Sequence, residues 1–348
     1  MAPSNLRLNP WGALVFIVGF FLALGYMFGP PDFFRKEQRV SMRELLSVSI
    51  GLASKGGVKV KEIHEEHKLK EKVKGQTKEG AKEMITVGDL ESHKIIFYGF
   101  SKMYPGIKVV SEEHDNKPVD FNQVSAVDTN LPEVQEVITS DQSIPVSDIA
   151  IWIDPLDATQ EYTESLTQFV TTMVCVVVRG EPKIGVINKP FTGETIWAWS
   201  GYGHSKNLEI GTSPRDTRQQ SLIVSRSHKG DVETMSKSAF GDDVKIIGAG
   251  GAGYKVLEVV KGSVNAYTHV TAIKKWDICA GNAILNALGG KMTTLDGDFI
   301  NYSPNLDPKN ERGLLATVNN RLHYEYLEKL GAKAKEILEE KSSSHKTK

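Results

Sequence analysis

Cysteine is nearly absent: the 348 residues include two, Cys175 and Cys279. Two cysteines cannot build a disulfide framework, and both stand in apolar stretches that read as buried core, so cysteine usage leaves the redox compartment undecided. Neither sign of charge is in excess, with 42 basic against 43 acidic residues. That balance excludes a generic nucleic-acid binder, which would carry a strongly basic field. No internal repeat is visible. The zinc-protease spacing is missing as well, because "HEEH" at 64 to 67 separates its histidines by three positions rather than four. One glycosylation sequon occurs, Asn301-Tyr302-Ser303, and the Pro304 that follows makes it poor evidence of glycosylation.

Charge is absent altogether from 11 to 29, "WGALVFIVGFFLALGYMFG". At about 1.5 Å per residue, such a helix approaches the roughly 30 Å of a bilayer core, with Trp11 and Tyr26 as interface anchors. A cleaved signal peptide is the rival reading, since Ala23-Leu24-Gly25 is a passable cleavage site, but the apolar run exceeds an ordinary signal core. An uncleaved single-span anchor is expected, after a tail at 1–10 and before a stem at 30–40. The basic residues Arg35, Lys36, Arg39 and Arg43 outnumber Arg7 and the amino terminus, which by local charge favours a cytosolic body.

The rest of the chain can bury a large core, as one two-lobed domain or two modest ones. "SMRELLSVSIGLAS" (41–54) has helical apolar spacing, with Ser41 as N-cap and Glu44 three residues later. The Lys/Glu-dense run at 55–83 reads as a solvated helix or loop, and 115–148 as a polar, Pro-punctuated insertion. From 170, "VTTMVCVVVRGEPKIGVINKP" reads as a hairpin turning at 179–182. Strand, loop and helix patterns follow in "LIVSRSH" (222–228) and "VKIIGAGGAGYKVLEVVKG" (244–262). "WDICAGNAILNALGG" (276–290) is an amphipathic helix stopped by Gly289 and Gly290, with Asp277 in its first turn. A closing strand, "GLLATVN", precedes a helix at about 321–340 and a polar tail. Alternating strands and helices with one long antiparallel hairpin predict layered α/β with mixed sheets.

The residues that carry chemistry begin with "WIDPLDATQEYT" (152–163). A β-prone run ends on Asp154 and Asp157, Pro155 is expected to stop the ladder, and Thr159 stands where a helix could begin. Each Asp alone is explained by an Asx turn or a cap. Together they repel unless a cation joins them, and oxygen ligands without a nearby Cys or His suit Mg²⁺ better than zinc. "GAGGAG" (248–253) satisfies G-x-G-x-x-G, but no acid closes the next strand near Tyr267, and Tyr254 breaks the P-loop pattern. What remains is a Gly-rich turn whose N–H groups, with Lys255, could hold an anion.

"SEEH" (111–114), "DPLDAT" (154–159) and "WDICAGNAILNALGG", in this order and setting, resemble a family. It is the lithium-sensitive, Mg²⁺-dependent phosphomonoesterase superfamily of inositol monophosphatase, fructose 1,6-bisphosphatase and the 3′-nucleotidases. The resemblance spans about 41–330 and implies an αβαβα sandwich with lobes at about 41–205 and 215–330, followed by a helix end and tail at 331–348. It implies metal ligands at Glu112, Asp154, the Leu156 carbonyl, Asp157 and Asp277 for two or three Mg²⁺, with Asp89 and Thr159 orienting the attacking water. Ser225, His228, Gly251 and Lys255 match positions that hold a nucleotide. "VSRSH", "GGAGYK" and the preceding anchor are most similar to the membrane-tethered 3′-nucleotidase branch. That branch implies hydrolysis of adenosine 3′,5′-bisphosphate in the Golgi lumen, clearing the by-product of sulfotransferases, with an inositol phosphate as the alternative substrate. Ala158 replaces the Gly of inositol monophosphatases, which favours the nucleotide. Oligomeric state stays open, a homodimer included.

Overall fold

The computed structural model describes residues 9–28, 37–76, 80, 82–115, 119–122, 124, 126–211, 219–227 and 231–331. They fall into two compact units, Met1–Arg39 and Val40–Lys348. The first contains α1 (Pro10–Phe28), with no charged residue. Asn9 caps it by accepting from Gly12 N at 2.6 Å. Its position matches the expected anchor, but among the described residues no helix is long and apolar enough to cross a membrane.

The second unit opens within β1 (Arg39–Ser41), which leads into α2 (Met42–Glu65), whose N-cap Ser41 accepts from Glu44 N at 3.1 Å, as the sequence predicts. The charged run beyond is not simply helix or loop, because it contains the hairpin β2 (Lys72–Gln76) and β3 (Lys82–Ile85). Then come α3 (Val87–Met103), β4 (Lys108–Ser111), α4 (Pro132–Val137), β5 (Ser143–Pro145), β6 (Ile149–Asp157) and α5 (Thr159–Thr163). The long hairpin is β7 (Thr171–Val178) and β8 (Glu181–Lys189), joined through Arg179 and Gly180, both at positive φ as a tight hairpin requires. β9 (Glu194–Trp199) and β10 (Gly203–His204) complete a sheet ordered β10-β9-β8-β7-β6-β4, parallel at β4–β6 and antiparallel elsewhere.

The chain continues with β11 (Ser221–Ser225), α6 (Val232–Phe240), β12 (Lys245–Ala249), α7 (Ala252–Lys261), β13 (Ala266–His269), β14 (Ile273–Lys274), α8 (Lys275–Ala287), β15 (Lys291–Thr293), β16 (Lys309–Asn310) and β17 (Leu314–Thr317); β14 and β16 pair with each other, and the other five strands form the second sheet. Its order is β12-β11-β13-β17-β15. β6 and β7 are apolar at nearly every position because both faces of their sheet are covered. Ile151, Ile153, Val174 and Val176 point to the α2/α3 side, while Trp152, Met173 and Cys175 point to the α7/α8 side. A third cluster joins Leu222 and Val224 of β11 to α6 and to Tyr326 and Leu330. The layers are therefore helix, sheet, helix, sheet, helix.

The two cysteines are buried as expected but do not remain thiols. Cys175 of β7 and Cys279 of α8 form a disulfide across 104 residues.

Candidate active site

β6 carries two acids at its carboxyl end. Its register with β7 runs unbroken to Asp154 opposite Met173, then slips before Asp157 opposite Thr171. The slip is a bulge that absorbs Pro155, which has no N–H for the ladder. Pro155 thus interrupts pairing without ending the strand, contrary to the sequence expectation. Asp154 Oδ1 accepts from Leu156 N at 3.2 Å.

β4 is parallel to β6 with Ser111 opposite Ile153, so Glu112 follows beside Asp154, its N–H donating to Ile153 O at 3.1 Å. α8 supplies Asp277 from its first turn, and carboxylate oxygens of Glu112, Asp154 and Asp277 lie within 4.8 Å of one another. Asp157 stands apart from this trio: its Oδ2 accepts from Gly253 N at 2.8 Å and Thr171 Oγ1 at 3.2 Å. The first N–H groups of α7 therefore face a carboxylate of the protein itself, not a dinucleotide.

Burial pushes the Asp154 and Asp277 carboxyls well above the usual range, and the neighbouring acids push the same way. Burial also raises Glu112 and Asp157, while Lys74 pulls the first back and Lys255 the second. Acids that resist ionisation at such spacing form a set that a small hard cation would relieve. The donors are oxygens only, which fits Mg²⁺.

Asp89 and Thr159, 70 residues apart, meet beside this cluster. Asp89 sits at the start of α3, where Oδ2 accepts from Thr86 N at 2.7 Å and Thr86 Oγ1 at 2.6 Å. Its Oδ1 lies 3.0 Å from Thr159 Oγ1, which also lies 3.2 Å from the Leu156 carbonyl. Burial raises the Asp89 carboxyl to about 7, against the stabilising bonds from Thr86. Ala158, just before α5, adopts a left-handed backbone at φ 69°, a conformation that Gly reaches at no steric cost.

A cavity of about 560 Å³ joins these acids to the glycine turn. Ser225, Gly251 and Lys255 all line it, whereas His228 lies outside the described residues. Gly251 has φ 63°, and a Cβ there would fall 2.5 Å from Phe169 O and 3.0 Å from Asp157 Oδ2. The buried Lys255 donates Nζ to Gly251 O at 2.6 Å and to Ala249 O at 3.4 Å. Burial lowers its pKa, with Asp157, Glu161 and Asp277 opposing.

Two contributors escaped the sequence reading. Lys74 of β2 reaches back to Glu112 at 2.7 Å and also pairs with Glu113. These two acids hold it protonated, above its ordinary value, although burial works the other way. Glu161 is buried in the cavity wall and accepts from Arg226 Nε at 3.1 Å, while Arg226 also pairs with Glu164. The missing Cβ of Gly250 makes room for Glu161. Neither has a local sequence signal, since both depend on segments that are distant in the chain.

Residues 41–339 match the model of the inositol monophosphatase family. Inositol monophosphatase 3 of Danio rerio is 47% identical over 333 residues, covering 91% of this chain and 94% of that protein. The Golgi-resident adenosine 3′,5′-bisphosphate 3′-phosphatase of Homo sapiens is 40% identical, with 91% and 94% covered. Among solved structures, the extragenic suppressor protein suhB of Bartonella henselae aligns at a TM-score of 0.60 and 19% identity, covering 84% of this chain and 98% of its own.

Proposed function

The chain belongs to the inositol monophosphatase family, and from that premise we propose that it removes the 3′-phosphate of adenosine 3′,5′-bisphosphate, giving AMP and phosphate. The observation that carries the reaction class is the convergence of Glu112, Asp154 and Asp277 beside the Asp89–Thr159 pair. Glu112, Asp154, the Leu156 carbonyl, Asp157 and Asp277 would hold two or three Mg²⁺. When bound, the metal supplies Lewis-acid charge for the phosphoryl group and lowers the pKa of water.

Thr159 Oγ1 can pass its proton towards Asp89 Oδ1 and accept one from the attacking water, which orients that water. Burial raises the Asp89 carboxyl, which favours its taking a proton in that exchange. Asp157 is held by Gly253 N–H and Thr171, which fixes its remaining oxygen.

Substrate size and charge support the nucleotide. The cavity is large for a lone inositol ring, within the usual range of about 300–1,000 Å³ for ligand pockets. Lys82 and Lys274 line it besides Lys255, cations suited to a phosphate-bearing substrate. Ser225, Gly251 and Lys255 would take the nucleotide end, with His228 added from the sequence resemblance.

The body would lie in the Golgi lumen behind a single span at 11–29. Support comes from the names of relatives such as the human protein, and from a buried disulfide, which persists in oxidising compartments. The decisive test is phosphate release from a panel including adenosine 3′,5′-bisphosphate, 3′-AMP and inositol 1-phosphate, with and without Mg²⁺. A specificity constant for inositol 1-phosphate equal to that for the bisphosphate would transfer the assignment to the inositol substrate.

A further inference from the structure

The disulfide sits where the metal site needs rigidity. Cys175 lies on β7 opposite Trp152 of β6 and Gly185 of β8. Along the same strand, Met173 is opposite Asp154 and Thr171 is opposite Asp157. One strand therefore backs both acids of β6. At the other end of the bond, Cys279 follows Asp277 by two residues within α8. The bond links the helix that bears the third acid to the strand that positions the first two.

Asp277 receives a hydrogen bond at 3.3 Å from Lys274 N, the N-cap residue of α8, so this bond ties the carboxylate to its own helix start and not to β6. Its placement is costly, because carboxylate oxygens of Glu112, Asp154 and Asp277 are gathered within 4.8 Å of one another. Without a cation, repulsion favours moving the start of α8 outward, and a covalent tie opposes that motion. A site already assembled before the ion arrives binds it with less reorganisation.

We propose that the Cys175–Cys279 disulfide preorganises the metal site by holding Asp277 beside Asp154 and Glu112, so that Mg²⁺ affinity depends on the oxidised state of this pair. This rests on reading Asp277 as a metal ligand. Cys175 and Cys279 are positioning residues and need not touch substrate. Reduction by a dithiol transfers two electrons and two protons to the pair, giving two thiols while the dithiol closes into its own disulfide.

The test uses the whole chain in detergent, with Mg²⁺ as the probe. Cys175→Ala/Cys279→Ala should need about tenfold more Mg²⁺ for half of the maximal thermal shift, and for half-maximal activity. At saturating Mg²⁺ its kcat should return to within about threefold of wild type. A folded double variant with unchanged Mg²⁺ dependence in the thermal shift overturns the proposal, as does a count of two free thiols in the native, active wild type. If the double variant fails to fold, the same Mg²⁺ titration on Cys279→Ala, and on wild type reduced until both thiols are titratable, decides by the same criterion. Asp277→Asn separates the layers of the argument. If Asp277→Asn leaves the Mg²⁺ shift intact, the ligand reading has failed; if it abolishes the shift while the cysteine variants do not, the disulfide proposal alone has failed.

Discussion

Replacing Gly251 with Ala tests the glycine turn where geometry sets the size of the effect. The residue has φ 63° and ψ 129°, a combination that L side chains rarely adopt, at about 1–3 kcal/mol. The new Cβ would lie 2.5 Å from Phe169 O and 3.0 Å from Asp157 Oδ2. The carbonyl is backbone and cannot swing aside, so overpacking adds about 1–3 kcal/mol. Loss of glycine freedom in the unfolded chain returns about 0.4–1 kcal/mol. The net is about 1–6 kcal/mol. With an unfolding entropy of roughly 2.1 cal/mol/K per residue over Val40–Lys348, this corresponds to a fall in Tm of about 2–9 °C. Because the second contact is Asp157, the half-saturating Mg²⁺ should rise as well. Gly289→Ala is the internal control: φ is 77° there, but nothing lies within 4 Å of the new Cβ, so strain acts alone. Melting curves with and without Mg²⁺ measure both. A Gly251→Ala protein that melts no lower than Gly289→Ala and keeps its Mg²⁺ dependence would refute the steric reasoning.

Asp157→Asn keeps the size of the side chain and removes its charge, so turnover should fall by orders of magnitude with the circular dichroism spectrum unchanged; near-normal activity at limiting Mg²⁺ would contradict its role as a ligand. For pH, the folded Asp89 carboxyl is raised to about 7 from 3.8, chiefly by burial, so between those values the folded state binds more protons than the unfolded state and stability falls as pH rises. The metal-free protein should therefore melt lower at pH 8 than at pH 6, and saturating Mg²⁺ should narrow the gap; a higher Tm at pH 8 without metal would reverse the sign. Lys255→Ala should raise KM for the bisphosphate much more than it lowers kcat, because a contact made in both ground and transition states acts on binding, and an effect confined to kcat would argue otherwise. Lithium in the millimolar range should inhibit at fixed Mg²⁺, and a flat titration would place the chain outside the sensitive branch.

The sequence made local patterns legible and distant closures invisible. The helix cap at Ser41, the hairpin at Arg179-Gly180 and the strand that ends in acid are each written in a few adjacent residues. Their physical causes act within a turn or a strand pair. The bulge at Pro155 marks the limit even there. Proline predicts the end of the ladder, yet the covered interior of the sheet makes continuing the strand favourable, and a register slip accommodates the missing N–H. Composition misled at Lys74 for a related reason. A Lys/Glu-dense run normally faces water, but the β2–β3 hairpin carries Lys74 onto Glu112 and Glu113, where the acids compensate its burial.

The glycine turn shows why a motif and its use can separate. "GAGGAG" correctly marks a strand, a turn and a helix, and the N–H groups at that helix start do meet a negative charge. The charge belongs to Asp157, from a segment about a hundred residues earlier, so the helix start holds one of the protein's own acids. Cys175 and Cys279 follow the same logic. Each reads as a small apolar residue within its own element, which burial bears out, and only the packing of α8 on β7 turns the pair into a bond. Acids are costly to gather because each one opposes the next. The fold therefore brings them together with elements fixed by other means: an uninterrupted apolar strand under Asp154, helix starts under Asp89 and Asp277, and a covalent tie two residues beyond Asp277. Those supports lie in packing rather than in the acids themselves, and they decide whether the acids read from the sequence become one site.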